Sequence, residues 1–351
     1  MSRRGKLLIV VVAAGVGLVG LLGAITFAML FVGDPVFGPQ PVLSPEAMAE
    51  LAARYAHPYP AEPRQFTLRD GGHLHAEVLP GDGDTTVVLA HGALATGQLL
   101  NRPAGLLRES LAASVIAVDL RGHGGSSGAP GDIDYIGQYE DDLADVVAAL
   151  RRAKPGGRII LAGHSMGGGI ALRYAERVAA RAATPVDAYL LFAPHMGYSS
   201  PTNRTSPAKD GPEMVKVHIA RTLCLALFNW IGITGLNGMQ TLFFNLPPEF
   251  PLRSYSFRAM VGGAPEEYRD ALAAAEAPLL VLVGSEDEAF HADRFDAALR
   301  PYAHAELANI EGATHDSVLV DPRALAAARS WALRSAVGSQ DGHPAPDRDV
   351  D

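Results

Sequence analysis

Residues 161–172 read "LAGHSMGGGIAL", and Ser165 in this stretch admits two chemistries. A serine between glycines can be a nucleophile lifted on a sharp strand-to-helix turn, or part of a glycine-rich loop around a phosphate. Gly163-His164-Ser165-Met166-Gly167 fits G-x-S-x-G, lies after a strand-like run and precedes a helical one, as a nucleophile turn requires. The glycines do not make G-x-G-x-x-G, and no G-K-S or G-K-T is present for a phosphate loop. The nucleophile reading is the better one.

A serine hydroxyl is a weak nucleophile and needs a base, and the base needs a carboxylate to orient it. In this arrangement of strands the chain order is serine, acid, histidine. His315 in "EGATHDS" follows a strand-like run and precedes the last helix, the place expected of the base. His291 falls in a turn, His304 just before a strand and His343 in the tail. The acid belongs just beyond "PLLVLVG", where "SEDEAF" offers Glu286, Asp287 and Glu288. Asp287 is favoured by position, with Glu286 and Asp293 next. The oxyanion of an acyl-transfer transition state needs two N–H donors. The Met166 amide, following the nucleophile, is one; the amide of Ala93 in "HGALATG" is the expected other. His91 and Gly92 are read as shaping that loop.

Strand-like and helical runs alternate through most of the chain. Strand and hairpin signals stand at "RQFTLRD" and "HLHAEVL", joined at Asp70-Gly71-Gly72. Then come "TVVLAHG", a helix over 99–110, "SVIAVDL", a helix over 135–152, "RIILAG", the helix after Ser165 and "DAYLLFA". The pattern breaks over 194–276 and resumes with "APLLVLVG", a helix over 292–299, "AELANIEG" and a helix over 322–335. Unbroken Val/Ile/Leu runs suit strands covered on both faces, hence a mostly parallel sheet. The layout is one α/β domain over 64–336 with an insertion at about 194–276 and a polar, disordered tail at 337–351.

The amino end is different. From Leu7 to Val32 no residue is charged, and Arg3, Arg4 and Lys6 stand just before it. A signal-peptide core holds about 7–15 apolar residues; this run approaches the ~20 that cross a bilayer as a helix. The expectation is a membrane anchor over 1–33, with the N-terminus cytoplasmic and the following domain outside. Residues 34–63, rich in proline, read as a semi-rigid spacer with one short helix over 45–55.

Bulk properties narrow the partners. A net charge of −9 argues against nucleic acid, whose binding needs clustered Lys and Arg. Cys224 is the single cysteine, so no intrachain disulfide forms, and in its apolar stretch it reads as a core residue. His73 and His75 share one strand face but lack a third ligand nearby, so no metal site or cofactor is read.

The motifs "HGALA", "DLRGHGGSSG", "GHSMGG", "GSEDEAF" and "EGATHD" occur in an order that resembles the α/β-hydrolase superfamily over roughly 64–335. They are most similar to its monoacylglycerol lipase, lysophospholipase and serine aminopeptidase-like branch. That resemblance implies an eight-stranded, mostly parallel sheet with a helical cap at 194–276. It implies Ser165 as nucleophile, Asp287 as acid and His315 as base, with Asp119, Arg121 and His123 in a structural loop. The expected activity is a serine hydrolase cleaving carboxylic esters of lipids or lysolipids. The apolar cap stretch "LCLALFNWIGITGLNGMQTLFF" favours acyl chains. A serine peptidase of the aminopeptidase-like branch is the alternative and should show an acidic cluster in the cap; Glu213, Glu249, Glu266 and Glu267 make none that can be read. A non-catalytic binding protein on the same fold is the other.

Overall fold

The computed structural model describes residues 17, 20, 21, 23, 24, 26–38, 49, 53, 56–204 and 214–338. The predicted hairpin is present: β1 (Glu62–Thr67) and β2 (His73–Leu79) pair antiparallel, Glu62 opposite Val78. Gly71 at the turn has φ +85°, a left-handed backbone that side chains disfavour.

The remaining strands of the main sheet are β3 (Thr85–Ala90), β4 (Ser114–Val118), β5 (Arg158–His164), β6 (Ala188–Phe192), β10 (Leu279–Gly284) and β11 (Ala305–Ile310). Their order is β1-β2-β4-β3-β5-β6-β10-β11. β4 runs antiparallel to β2, and every pair from β4 to β11 is parallel. This is the expected eight-stranded sheet. Its central strands are unbroken apolar runs because helices cover both faces. Val88 and Ala90 join one core layer while Val87 and Leu89 join the other, as the two-residue period of a strand demands. Helices α1 (Asn101–Leu111) and α8 (Pro322–Gly338) cover one face, with Leu107 and Trp331 in its core. Helices α2 (Gln138–Ala153) and α3 (Met166–Ala179) cover the other through Leu143, Val147 and Leu172. The short α7 (Phe295–Leu299) follows a 3₁₀ turn between β10 and β11.

The insertion between β6 and β10 departs from the helical cap expected. It combines α4 (Ile219–Trp230), α5 (Phe257–Gly262) and α6 (Tyr268–Ala274) with a three-stranded antiparallel sheet, β7 (Val215–Val217), β8 (Gln240–Phe244) and β9 (Ser254–Ser256). Leu242 and Phe244 lie in a run that reads as helix by apolarity alone, but β8 finds partners on both sides. Periodicity cannot separate a short buried strand from a helix segment; pairing does.

Among the described residues no helix is long and apolar enough to cross a membrane. Only part of Leu7–Val32 is described, so the predicted anchor falls mainly outside those residues. The spacer helix expected over 45–55 does so too, except for the helical Ala49 and Ala53. The tail beyond Gly338, with His343, is likewise outside. Residues 26–38 are described, and they pack on the cap. Leu30 is fully buried, and the Cys224 thiol donates to the Thr26 carbonyl at 2.9 Å. Cys224 is a buried cysteine at this joint.

Candidate active site

Ser165 stands between β5 and α3 with φ 52° and ψ −115°, a strained conformation for a residue with a side chain. The flanking glycines are imposed by close packing. A Cβ on Gly163 would lie 2.3 Å from the Gly167 carbonyl oxygen, and one on Gly167 would lie 2.4 Å from that of Ala90. The turn is that tight because α3 starts directly over β3 and β5.

The loops after β10 and β11 carry the other two groups. The Asp287 amide donates to the Gly284 carbonyl at 3.1 Å, which turns the chain sharply at the end of β10. Ser285 and Glu286 donate to Ile310 and Ala313, lacing this loop to the one bearing His315. Asp287 Oδ2 then lies 3.0 Å from His315 Nδ1, and its side chain is fully buried. Its Oδ1 accepts from the amides of Ala289 and Phe290 at 2.8 and 2.7 Å. Of the acidic candidates, Asp287 is the one the fold brings to His315 Nδ1. Glu288 reaches only the His315 backbone amide, at 3.0 Å, and Asp293 sits 4.0 Å from His291.

Burial works to lower the His315 pKa, but the hydrogen bond and charge of Asp287 outweigh it, with Asp316 and Glu288 adding to the same side. The net shift is upward. Ser165 and Phe290 line one pocket of about 250 Å³, and the Phe290 ring packs edge-on against His315 at 5.3 Å. His315 and Ser165 share no hydrogen bond in this structure; such contacts are often long before substrate binds.

Ala93 and Met166 line the same pocket. Among the described residues neither amide has an acceptor within the protein, so both N–H groups are free to donate into the pocket. The loop bearing Ala93 is held from two directions. His91 is buried, and both its ring nitrogens meet backbone: Nδ1 lies 2.8 Å from the Gly92 carbonyl, and Nε2 accepts from Leu120 at 3.0 Å. Burial pushes its pKa down to about 4, so it is neutral. Leu94, at φ 63°, donates its amide to the Tyr255 hydroxyl at 2.8 Å. That hydroxyl in turn lies 2.7 Å from His123 Nε2. Burial, reinforced by His91, lowers the His123 pKa to about 3. His123 is therefore neutral, with Nδ1–H on the Arg121 carbonyl and Nε2 accepting the Tyr255 proton.

Tyr255 comes from β9 of the cap and carries no motif, so sequence reading missed it. His195 was missed for the same reason. It follows β6, lines the pocket and lies against Phe290 with ring centres 5.6 Å apart. Burial, then the proximity of His315, lowers its pKa to about 4. The loop residues behave as supports. Asp119 accepts from the amides of Gly97 and Gly125, and buried Arg121 pairs with Asp142 at 2.8 Å and Asp70 at 2.7 Å. His73 and His75 do not form an open pair: His75 Nδ1 meets Asp119 Oδ2 at 3.0 Å, and His73 meets Ser127 and Gly125. His304 bonds the Leu272 carbonyl, far from this site.

Residues 87–328 match the alpha/beta hydrolase family, more than half of the chain. The chain belongs to this family. Among solved structures it is similar to a thermophilic esterase from Thermogutta terrifontis, at 24% identity and a TM-score of 0.53, covering 78% of this chain and 99% of that one. An esterase from Pyrococcus furiosus matches at 17% identity and 0.51, over 86% and 99% of the two chains. A monoacylglycerol lipase from Paleococcus ferrophilus matches at 19% and 0.51, over 75% and 99%. At these identities the likeness concerns the fold.

Proposed function

We propose that this chain is a serine hydrolase that cleaves carboxylic esters of lipids or lysolipids through an acyl-enzyme. The single observation that carries the reading is the buried Asp287–His315 pair beside the strained Ser165 turn. His315 Nε2 takes the Ser165 proton as Oγ attacks the ester carbonyl carbon. The amides of Ala93 and Met166 bond the oxygen that becomes negative. Collapse breaks the C–O bond, and His315 gives the proton to the departing alcohol. Water, deprotonated by His315, then releases the carboxylic acid and restores Ser165.

The apolar walls of the pocket, Leu242, Phe244, Met260 and Phe290 among them, favour an acyl chain. Among the described residues no carboxylate lines this pocket, although Glu266 lines the cavity that adjoins it, and an aminopeptidase would hold the substrate amine near such a group. The same reading has the catalytic domain outside the cytoplasm, attached through Leu7–Val32; its support is the basic flank Arg3, Arg4 and Lys6. Aryl esters of increasing acyl length, each with its amide counterpart, provide the test. Turnover of esters that improves with acyl length and exceeds that of the amides is the expected result. Preferential cleavage of aminoacyl amides, or no labelling of Ser165 by a fluorophosphonate, would overturn it.

A further inference from the structure

Behind the Ser165 pocket lies a second cavity of about 750 Å³, between α4 and the main domain. Tyr198 and Met260 line both spaces, so the two adjoin there. The first pocket is smaller than the ~300–1,000 Å³ of typical ligand sites, whereas the second falls within that range. Its lining is largely apolar, with Val217, Phe257 and Val261 inside and Ile219 and Trp230 of α4 at its edge, and two charged residues, Arg173 and Glu266, also line it.

The outer face of α4 is apolar too. Ile219, Leu223, Leu227 and Trp230 recur at helical spacing, and all are exposed, Trp230 to 82%. Arg221, Cys224 and Leu225, on the other side of the helix, are buried. A helix that faced water would present charge there. The end of the uncharged run Leu7–Val32 is fastened to this helix. Arg221 donates to the carbonyls of Leu30 and Val32, at 2.9 and 3.2 Å, and to Asp34 at 2.8 Å; His218 Nε2 meets the Val32 carbonyl at 3.1 Å. Phe27 and Phe31, in contact with each other on that run, are exposed as well.

We propose that the outer face of α4, together with Phe27 and Phe31, docks into the surface of a phospholipid bilayer. A single-chain ester then enters past Ile219 and Trp230, with its carbonyl at Ser165 and its acyl chain running from that pocket past Tyr198 and Met260 into the 750 Å³ cavity. This rests on the lipid-ester reading above. The occupant is a bilayer because the chain fastened to α4 is an uncharged apolar run, longer than a signal-peptide core. None of the exposed residues Ile219, Leu223, Leu227 and Trp230 is charged, so the attachment is apolar and should depend little on anionic lipid or salt.

The chain holds two tryptophans, and Trp331 is only 1% exposed, so Trp230 reports on α4. The full-length protein in phosphatidylcholine vesicles should show Trp230 emission quenched by brominated phosphatidylcholine and protected from aqueous iodide. Trp230→Phe should remove the quenched component. Quenching by iodide but not by brominated lipid would overturn the proposal; protection from both would mean that protein covers the face, and would overturn it equally. This readout needs no turnover, so it fails or succeeds separately from the esterase reading. Leu223→Asp should lower the rate on a long-chain monoacyl ester in vesicles, relative to a water-soluble short ester, by about tenfold, the scale of one leucine's transfer from water. An unchanged ratio would refute entry through α4.

Discussion

Replacing Asp287 by asparagine tests the site with little change in shape. Oδ1 of Asp287 accepts from two amides, those of Ala289 and Phe290, and Oδ2 faces His315 Nδ1. An asparagine satisfies both amides only with its carbonyl oxygen in the Oδ1 position. The flipped rotamer would set an NH₂ group against two N–H donors, and each buried, unsatisfied donor costs about 1–3 kcal/mol. The carbonyl therefore stays with the amides, and the substituted side chain would turn its NH₂ toward His315. Nδ1 must then accept, so the proton moves to Nε2, the atom that takes the Ser165 proton in the proposed mechanism. The wrong tautomer cuts kcat by up to ~10⁴-fold, equivalent to about 5.5 kcal/mol of barrier. The assay is steady-state hydrolysis of a soluble aryl ester, with thermal unfolding as the control for folding. Glu286→Gln and Asp293→Asn, whose carboxylates do not reach His315 Nδ1, should stay near the parent rate. A folded Asp287→Asn protein within tenfold of the parent, or a crippling Glu286→Gln, would refute the assignment.

Ser165→Ala should abolish turnover and fluorophosphonate labelling, leaving about 10³–10⁴-fold catalysis over water from the oxyanion donors and binding. Because Ser165 has φ 52°, Ser165→Gly should be more stable than Ser165→Ala by about 1 kcal/mol of released backbone strain; calorimetry of the two variants, in which Ser165→Gly should melt at the higher temperature, checks the order. In the proposed mechanism His315 is neutral when it acts as base, and its pKa lies above the ordinary value of about 6.5. The rate constant kcat/KM should fall as pH drops through a midpoint above that value, and the midpoint should move down in Asp287→Asn, which removes the neighbouring negative charge. A parent midpoint below about 6.5 in the pH–rate profile would contradict the balance of burial and charge at His315.

The central sheet was readable because each strand is a local apolar run, and a parallel strand covered on both faces needs no partner-specific signal. Ser165 was readable for a similar reason: its turn imposes glycine at 163 and 167, and steric exclusion leaves a mark in the string of letters. The order serine, acid, histidine pointed to His315 and to a few carboxylates near "SEDEAF", and the fold sets Asp287 beside His315 Nδ1. Which of them meets the imidazole was a matter of where one loop bends, and the Asp287 amide on the Gly284 carbonyl decides that. The cap resisted reading because strands of three to five residues depend on pairing between segments distant in the chain; β8 is a strand by virtue of β7 and β9. Tyr255 and His195 are invisible in sequence, since an isolated tyrosine or histidine gains its role only from what the fold sets beside it. The seat of Leu30 on α4 belongs to the same class. An apolar run announces that it must be buried, and only the tertiary structure, through Arg221 and its carbonyl acceptors, determines against what.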